Sequence, residues 1–419
     1  MDCIIKNAKV YVNGKFISTN LTILNGKVSF SQDKSNESLQ VFDFNNKIII
    51  PGLVDVHTHL REPGFSYKET VKSGTEAALK SGYNTIFTMP NLNPVPDSVE
   101  NLKVQQDIID KDALINVYPF GAITVGEKGE ELSDIDGMSD FVKGFSDDGR
   151  GVQSAKLMEK AMLKVKALDK IIVAHCEDNA LLNGGYIHDG EYAKAKCHKG
   201  ISSISESKPI ERDCDLAERT KVKYHVCHVS AKESVMAIRN AKERGVNVTA
   251  ETAPHYLVLD DSMLKESGNF KMNPPIRGKE DKLALIDGIK DGTIDMIATD
   301  HAPHSFEEKN KGLKDSLNGI VGLETAFPIL YTYLVKKDII SLEKLVEIMS
   351  VNPAKRFNLD IEIKDGATAN FAVFDLEKEY VVNPDEFYSK GKSTPFDGYK
   401  VYGKCIMNVI DGKIKYLEK

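Results

Sequence analysis

PGLVDVHTHLREPG, residues 51–64, decides how the rest of the chain reads. An apolar run from 48 to 56 leads into His57, His59 and Arg61, spaced two apart. Successive strand side chains point to opposite faces, so this spacing predicts a strand over 48–57 that presents all three on one face at its end. Two imidazoles about 7 Å apart along a strand can close on one metal ion. A guanidinium one step beyond could clamp a substrate carboxylate with two parallel hydrogen bonds.

His-x-His alone is weak evidence for a metal. Here further ligand types follow, each at the end of its own β-rich run: FSDDG (145–149), VAHCE (173–177), VCHVS (226–230) and IATDHAPH (297–304). Taken singly, His175 reads as an ordinary strand-end histidine, Asp147 and Asp148 as a turn, and Asp300 as a helix cap. Together they place four histidines and two aspartates at one rim, a donor set that suits Zn²⁺ and can hold a pair of ions. Strand alternation favours His228 over its neighbour His225 at that rim. Cys176 and Cys227, next to ligands, are expected to point away into packing.

Working outward, β-rich runs at 48–57, 85–89, 115–122, 141–147, 171–175, 224–228, 246–251 and 296–300 alternate with helical patterns at 68–81, 154–168, 206–220 and 231–244. Eight such units predict an α/β fold, a (β/α)8 TIM-like barrel with its site at the C-terminal rim of the strands. No Gly-x-Gly-x-x-Gly follows the first strand, which removes the main argument for a dinucleotide fold. Short alternating runs with Asn13-Gly14, Asn25-Gly26 and Asp411-Gly412 turns mark both ends as β-structure. Neither end can bury a core alone, so a small β-sandwich formed from both termini is expected beside the barrel. The expected division is 1–50, 51–355 for the barrel and 356–419, with 33–38 (DKSNES) as a mobile loop.

The chain has 419 residues and a net charge of −7, with no basic cluster, which argues against nucleic-acid and anionic-membrane partners. No apolar run approaches a membrane span, and the start of the chain lacks the pattern of a secretory signal, so a cytoplasmic address is expected. Six scattered cysteines without paired spacing read as reduced thiols.

The ordered set PGLVDVHTHLREPG, TMPN (88–91), FSDDG, AHCEDNALLNGG, CHVS, ETAPHY, NPPIR (273–277) and DHAPH resembles the amidohydrolase superfamily, and within it the longer, bacterial type of dihydroorotase. That resemblance implies reversible hydrolysis of the cyclic amide of dihydroorotate to N-carbamoyl-L-aspartate by a zinc-bound hydroxide, the third step of pyrimidine synthesis. It implies two Zn²⁺ per subunit: His57, His59 and Asp300 on one, His175 and His228 on the other, Asp148 bridging. Asp300 would be the catalytic proton carrier. His59, Arg61, Asn91, Asn273 and His304 would contact the small-molecule substrate, with Asn318 and Gly319 closing over the ring. Relatives that bridge their metals through a carboxylated lysine have only Lys143 as a counterpart here, on the opposite face by parity. The resemblance further implies a homodimer and allows association with aspartate carbamoyltransferase. A hydantoinase or allantoinase, or an inactive scaffold subunit, are the competing readings. The segment 305–315 is a candidate lid.

Overall fold

The computed structural model describes residues 2–30 and 39–418; the loop expected at 33–38 lies outside them. Eight parallel runs form the barrel wall: Leu53–Thr58, Tyr83–Thr88, Asn116–Pro119 continued by Gly121–Ala122, Gly144–Ser146, Ile171–Ala174, Lys223–Val226, Val248–Thr252 and Met296–Ile297. Neighbours pair in chain order, from Val54–Thr85 on one side round to Thr252–Ile297 on the other. The ring closes where Thr58 bridges His301 and the His59 amide donates to the His301 carbonyl at 2.8 Å. The barrel is therefore pinned shut between the His-x-His segment and the Asp300 segment.

Val54, Val56, Phe87, Phe120, Val173, Cys227 and Met296 fill the interior as one buried cluster. Each such side chain contributes about 1.5–3 kcal/mol by leaving water. A second layer, with Leu53, Ile86, Ile172, Tyr224 and Val226, packs under the outer helices. Val71–Lys80 shows how those helices are set: Thr70 caps it, in a reciprocal box with Ser73, and Val71, Gly74, Ala77 and Ala78 form the buried face. The helices predicted over 154–168, 206–220 and 231–244 occur as Ala155–Ala167, Ile204–Thr220 and Lys232–Glu243.

The run expected as one strand over 48–57 is two. Ile48–Pro51 belongs to the terminal sheet, where it lies between Cys3–Val12 and Phe371–Val381, and only Leu53–Thr58 belongs to the barrel. Gly52 makes the break, and a Cβ there would meet the Asn84 side chain at 2.1 Å. Asn84 cannot retreat, because its amide donates to the Val409 carbonyl of the terminal sheet at 2.9 Å. The terminal part is a single continuous eight-stranded sheet in its hydrogen bonding rather than two separate sheets. It encloses its own core of Ile5, Val10, Leu21, Ile23, Ile49, Phe371, Val373, Met407 and Val409. All three predicted hairpin turns have both central residues at positive φ, as type I′ turns require. Among the described residues, no helix is long and apolar enough to cross a membrane.

Candidate active site

Four imidazoles surround the Asp148 carboxylate. His57 Nε2 lies 3.3 Å and His228 Nε2 3.5 Å from Oδ1, His175 Nδ1 lies 3.7 Å from Oδ1, and His59 Nε2 lies 3.5 Å from Oδ2. Asp300 stands across the cluster, its Oδ1 at 3.2 Å from His59 Nε2 and 3.5 Å from His57 Nε2. His175 Nδ1 and His228 Nε2 converge at 2.9 Å. All six residues are buried.

Regular alternation explains some of these placements and fails for others. Asp148 shares parity with Gly144 and Ser146, and His175 with the interior Ile171 and Val173. His228 does not follow the rule: Tyr224 and Val226, of its parity, pack outside the strands. A φ of +32° at His228, just past the strand, turns its ring inward. Alternation instead sends His225 and Cys227 into the barrel, so Cys227 lies beneath the site beside His57 and Glu251 rather than away from it. Cys176 does pack outward, its thiol 3.3 Å from the Tyr224 hydroxyl. Arg61 is likewise not a continuation of the strand, which ends at Thr58; a φ of +61° re-aims it. Asp300 also has positive φ, +50°. Asp147, the other aspartate of the pair, is structural: it accepts from the Ile123 and Thr124 amides at 2.8 and 3.0 Å. Lys143 is half-buried against the Tyr118 ring, 5.2 Å from its centroid, and is not among the groups around Asp148.

The donor set fits metal ions on two structural grounds. His57, His59 and Asp300 form one group of ligand atoms within reach of a single ion, and His57, Asp148 and His228 form another. Buried polar atoms normally find partners, yet His57 Nε2 and Asp148 Oδ1 have none within hydrogen-bonding geometry. The electrostatics agree. Burial alone would push the Asp148 carboxyl up, but His57, His228 and His59 hold it well below the usual range. Burial likewise opposes charge on His57, yet Asp148 and Glu251 raise it well above an ordinary histidine.

Beneath this cluster lies a residue to which the sequence reading gave no role. Glu251 accepts from His57 Nδ1 at 2.7 Å and from the His228 amide at 3.2 Å, and its second oxygen lies 3.0 Å from His225 Nε2. This fixes the proton of His57 on Nδ1 and aims the Nε2 lone pair at the cluster, the usual arrangement behind a metal-binding imidazole. Its one sequence signal was a carboxylate at the end of the run 246–251, within ETAPHY.

A cavity of about 170 Å³ opens over the cluster, lined by His59, Arg61, Asn91, Asp148, His175, His228, Asn273, Asp300, His304, Asn318 and Gly319. Of the residues expected to hold metal or contact substrate, all but His57 line this one space. Arg61 Nε donates to the Pro303 carbonyl at 3.2 Å, which fixes the guanidinium plane. Asn91 Oδ1 meets His59 Nδ1 at 2.9 Å, so this amide orients a histidine as well as lining the pocket. Asn273 donates to both oxygens of Glu177 at 3.0 and 3.2 Å. His304 donates from Nε2 to the Asn318 carbonyl at 2.7 Å and accepts from Lys68 Nζ at 3.2 Å. Burial, then Arg61 and Lys68, pull its pKa down to about 3, so it is a neutral imidazole among cations. Gly319 has φ +135°, and a Cβ there would meet the Ala302 carbonyl oxygen at 2.5 Å. The candidate lid consists of two short helices, Phe306–Lys309 and Gly312–Asp315.

The Dihydro-orotase-like family matches residues 46–234. A dihydroorotase of Fusobacterium nucleatum is 50% identical over 419 residues, covering 99% of each chain. One of Bacillus thuringiensis is 48% identical over 422 residues, covering 99% of this chain and 98% of its own. Among solved structures, an L-hydantoinase (dihydropyrimidinase) from Arthrobacter aurescens superposes over the whole chain and 96% of its own, with a TM-score of 0.89 at 25% identity. A dihydropyrimidinase from Brevibacillus agri does so with a TM-score of 0.86 at 23% identity. These two likenesses concern the fold: a TIM-barrel amidohydrolase.

Proposed function

The chain belongs to the dihydroorotase family, and from that premise we propose that it interconverts dihydroorotate and N-carbamoyl-L-aspartate, using Asp300 and a pair of zinc ions. The observation that carries this reading is the meeting of four histidines with Asp148 and Asp300 beneath a small cavity walled by Arg61 and Asn91. His57, His59 and Asp300 would hold one ion, His175 and His228 the other, with Asp148 between them. Bound ions of this kind supply a polarised carbonyl and a water that ionises near neutral pH.

The remaining work falls to the chain's own groups. Burial works against charge on Asp300, but His59 and His57 keep its carboxyl below the usual range, so it is ionised and able to accept a proton. It would pass that proton to the ring nitrogen as the amide bond breaks, acting first as base and then as acid. In the synthetic direction the protonated carboxyl donates to the departing hydroxyl. Arg61, fixed at Nε, would turn its terminal nitrogens to the substrate carboxylate, and the Asn91 amide would add a donor. Asn273, oriented by Glu177, would face the ring from the opposite wall.

The test is steady-state hydrolysis of L-dihydroorotate by zinc-loaded protein, with hydantoin and allantoin alongside. Dihydroorotate should turn over alone among the three, and Asp300→Ala should lose several orders of magnitude in rate with an unchanged circular dichroism spectrum. Preference for hydantoin, or near-normal activity of the variant, would overturn the reading. We also propose a cytoplasmic homodimer, on the family resemblance; sedimentation as a monomer at micromolar concentration would refute the dimer. Association with aspartate carbamoyltransferase is proposed on the same ground, and co-sedimentation of the two proteins tests it. The division into 1–50, 51–355 and 356–419 is likewise a proposal, supported by the switch from sheet to barrel at Gly52.

A further inference from the structure

Two walls of the cavity come from segments that are 45 residues apart in number, one carrying Asn273 and the other Asn318 and Gly319. One buried lysine bonds to both. Lys309 is 7% exposed, and among the described residues no carboxylate pairs with it. Its Nζ donates to the Lys271 carbonyl at 2.9 Å and to the Leu317 carbonyl at 2.8 Å. The first acceptor lies two residues before Asn273; the second lies immediately before Asn318.

The join is reinforced around it. The Gly319 amide donates to the same Lys271 carbonyl at 3.0 Å, and Lys271 Nζ donates back to the Lys314 carbonyl at 2.8 Å. Ser316 Oγ donates to the Lys309 carbonyl at 2.8 Å. The seam is tight: a Cβ on Gly268 would meet the Lys309 carbonyl oxygen at 2.1 Å. Burying a lysine without an anion is costly, and an apolar side chain could fill the same volume at less cost. What an apolar residue could not do is donate to two backbone carbonyls at once. Burial, then Lys271, bring the Lys309 ammonium down to about 7, and even the neutral amine keeps two N–H groups for two acceptors.

We propose that Lys309 is a positioning residue for the substrate: a two-pronged donor that fixes the spacing between the Asn273 wall and the Asn318–Gly319 wall. The segment 305–315 is then held at its middle, and what it sets is the width of the cavity. This inference rests on the proposed reaction for its kinetic consequence only, since the clamp itself can be read without substrate.

The experiment compares full-length, metal-loaded wild type with Lys309→Met, which keeps the length of the side chain, and Lys309→Gln, which keeps amide donors on a shorter stem. Losing two buried hydrogen bonds between the walls should raise KM for dihydroorotate about tenfold in the Met variant. The expected kcat stays within about threefold of wild type, since the metal-binding groups and Asp300 are untouched. Metal content should be unchanged, and amide hydrogen exchange should accelerate at 271–273 and 317–319 without substrate present. The Gln variant should fall between the two, and it carries the test if the Met variant does not fold. Wild-type KM together with wild-type exchange in those two segments would overturn the proposal. So would a fall in kcat at unchanged KM, or loss of metal. Accelerated exchange in a protein that does not turn over dihydroorotate would uphold the clamp and refute the proposed substrate instead.

Discussion

Glu251 makes a prediction whose size follows from its contacts. In Glu251→Gln the amide oxygen can keep the His57 Nδ1–H and the His228 amide, at 2.7 and 3.2 Å in the parent. The new NH₂ would face His225 Nε2, which can turn acceptor because its other nitrogen meets the Thr249 hydroxyl, a group able to donate as well as accept. No buried partner is orphaned, so the fold should hold with a small change in melting temperature. What is lost is the negative charge behind His57. Removing such a partner typically costs 10- to 100-fold in metal affinity, about 1.4–2.7 kcal/mol. Glu251→Ala differs in kind: three donors lose their acceptor inside the barrel at about 1–3 kcal/mol each, and the variant should be strongly destabilised even without metal. Competition of zinc against a chromophoric chelator gives the affinity, and thermal unfolding of the metal-free proteins gives the stability. Wild-type zinc affinity in the Gln variant would refute the reasoning, because the carboxylate would then be only a hydrogen-bond acceptor.

Two further outcomes follow from buried groups. Glu127 is 4% exposed, its Oε1 has no hydrogen-bond partner, and burial followed by Asp147 and Asp148 pushes it up to about 9. The folded chain thus keeps a proton that the unfolded chain releases above about 4.5, so stability falls as pH rises through that window. Glu127→Gln should unfold at a higher temperature than wild type at pH 8, by an advantage worth roughly 4 kcal/mol more than at pH 5; a gap independent of pH would sink the idea. Gly319→Ala must move a Cβ away from the Ala302 carbonyl oxygen, 2.5 Å away, at a φ that L-residues avoid. It should lose roughly 1–3 kcal/mol of stability and bind substrate more weakly, and a wild-type KM would count against the tight fit described for that wall.

How much of this could be read in one dimension depended on the regularity of the backbone. The eight strands and four of the longer helices were legible because apolar period and turn residues act locally. The residues around Asp148 were legible because each stands at a strand end, where a barrel collects its chemistry. Parity misled where φ turns positive, at Arg61 and His228, since alternation holds only while the chain stays extended. The run from 48 to 57 concealed the break at Gly52, whose cause is Asn84, 32 residues away. Glu251 and Lys309 stayed hidden for a related reason. Glu251 meets His57 from 194 residues away, and Lys309 bonds to Lys271, 38 residues back, and to Leu317, pairings that no local period announces.

The position of Ile48–Pro51 has a consequence for how the molecule is made. This strand leads directly into Leu53–Thr58, which carries His57, yet one of its two flanking partners, Phe371–Val381, comes more than 300 residues later. On the ribosome, every barrel strand is synthesised while that edge is still bare. A growing polypeptide must therefore carry an open strand edge at the foot of its barrel until residues 371–381 are translated.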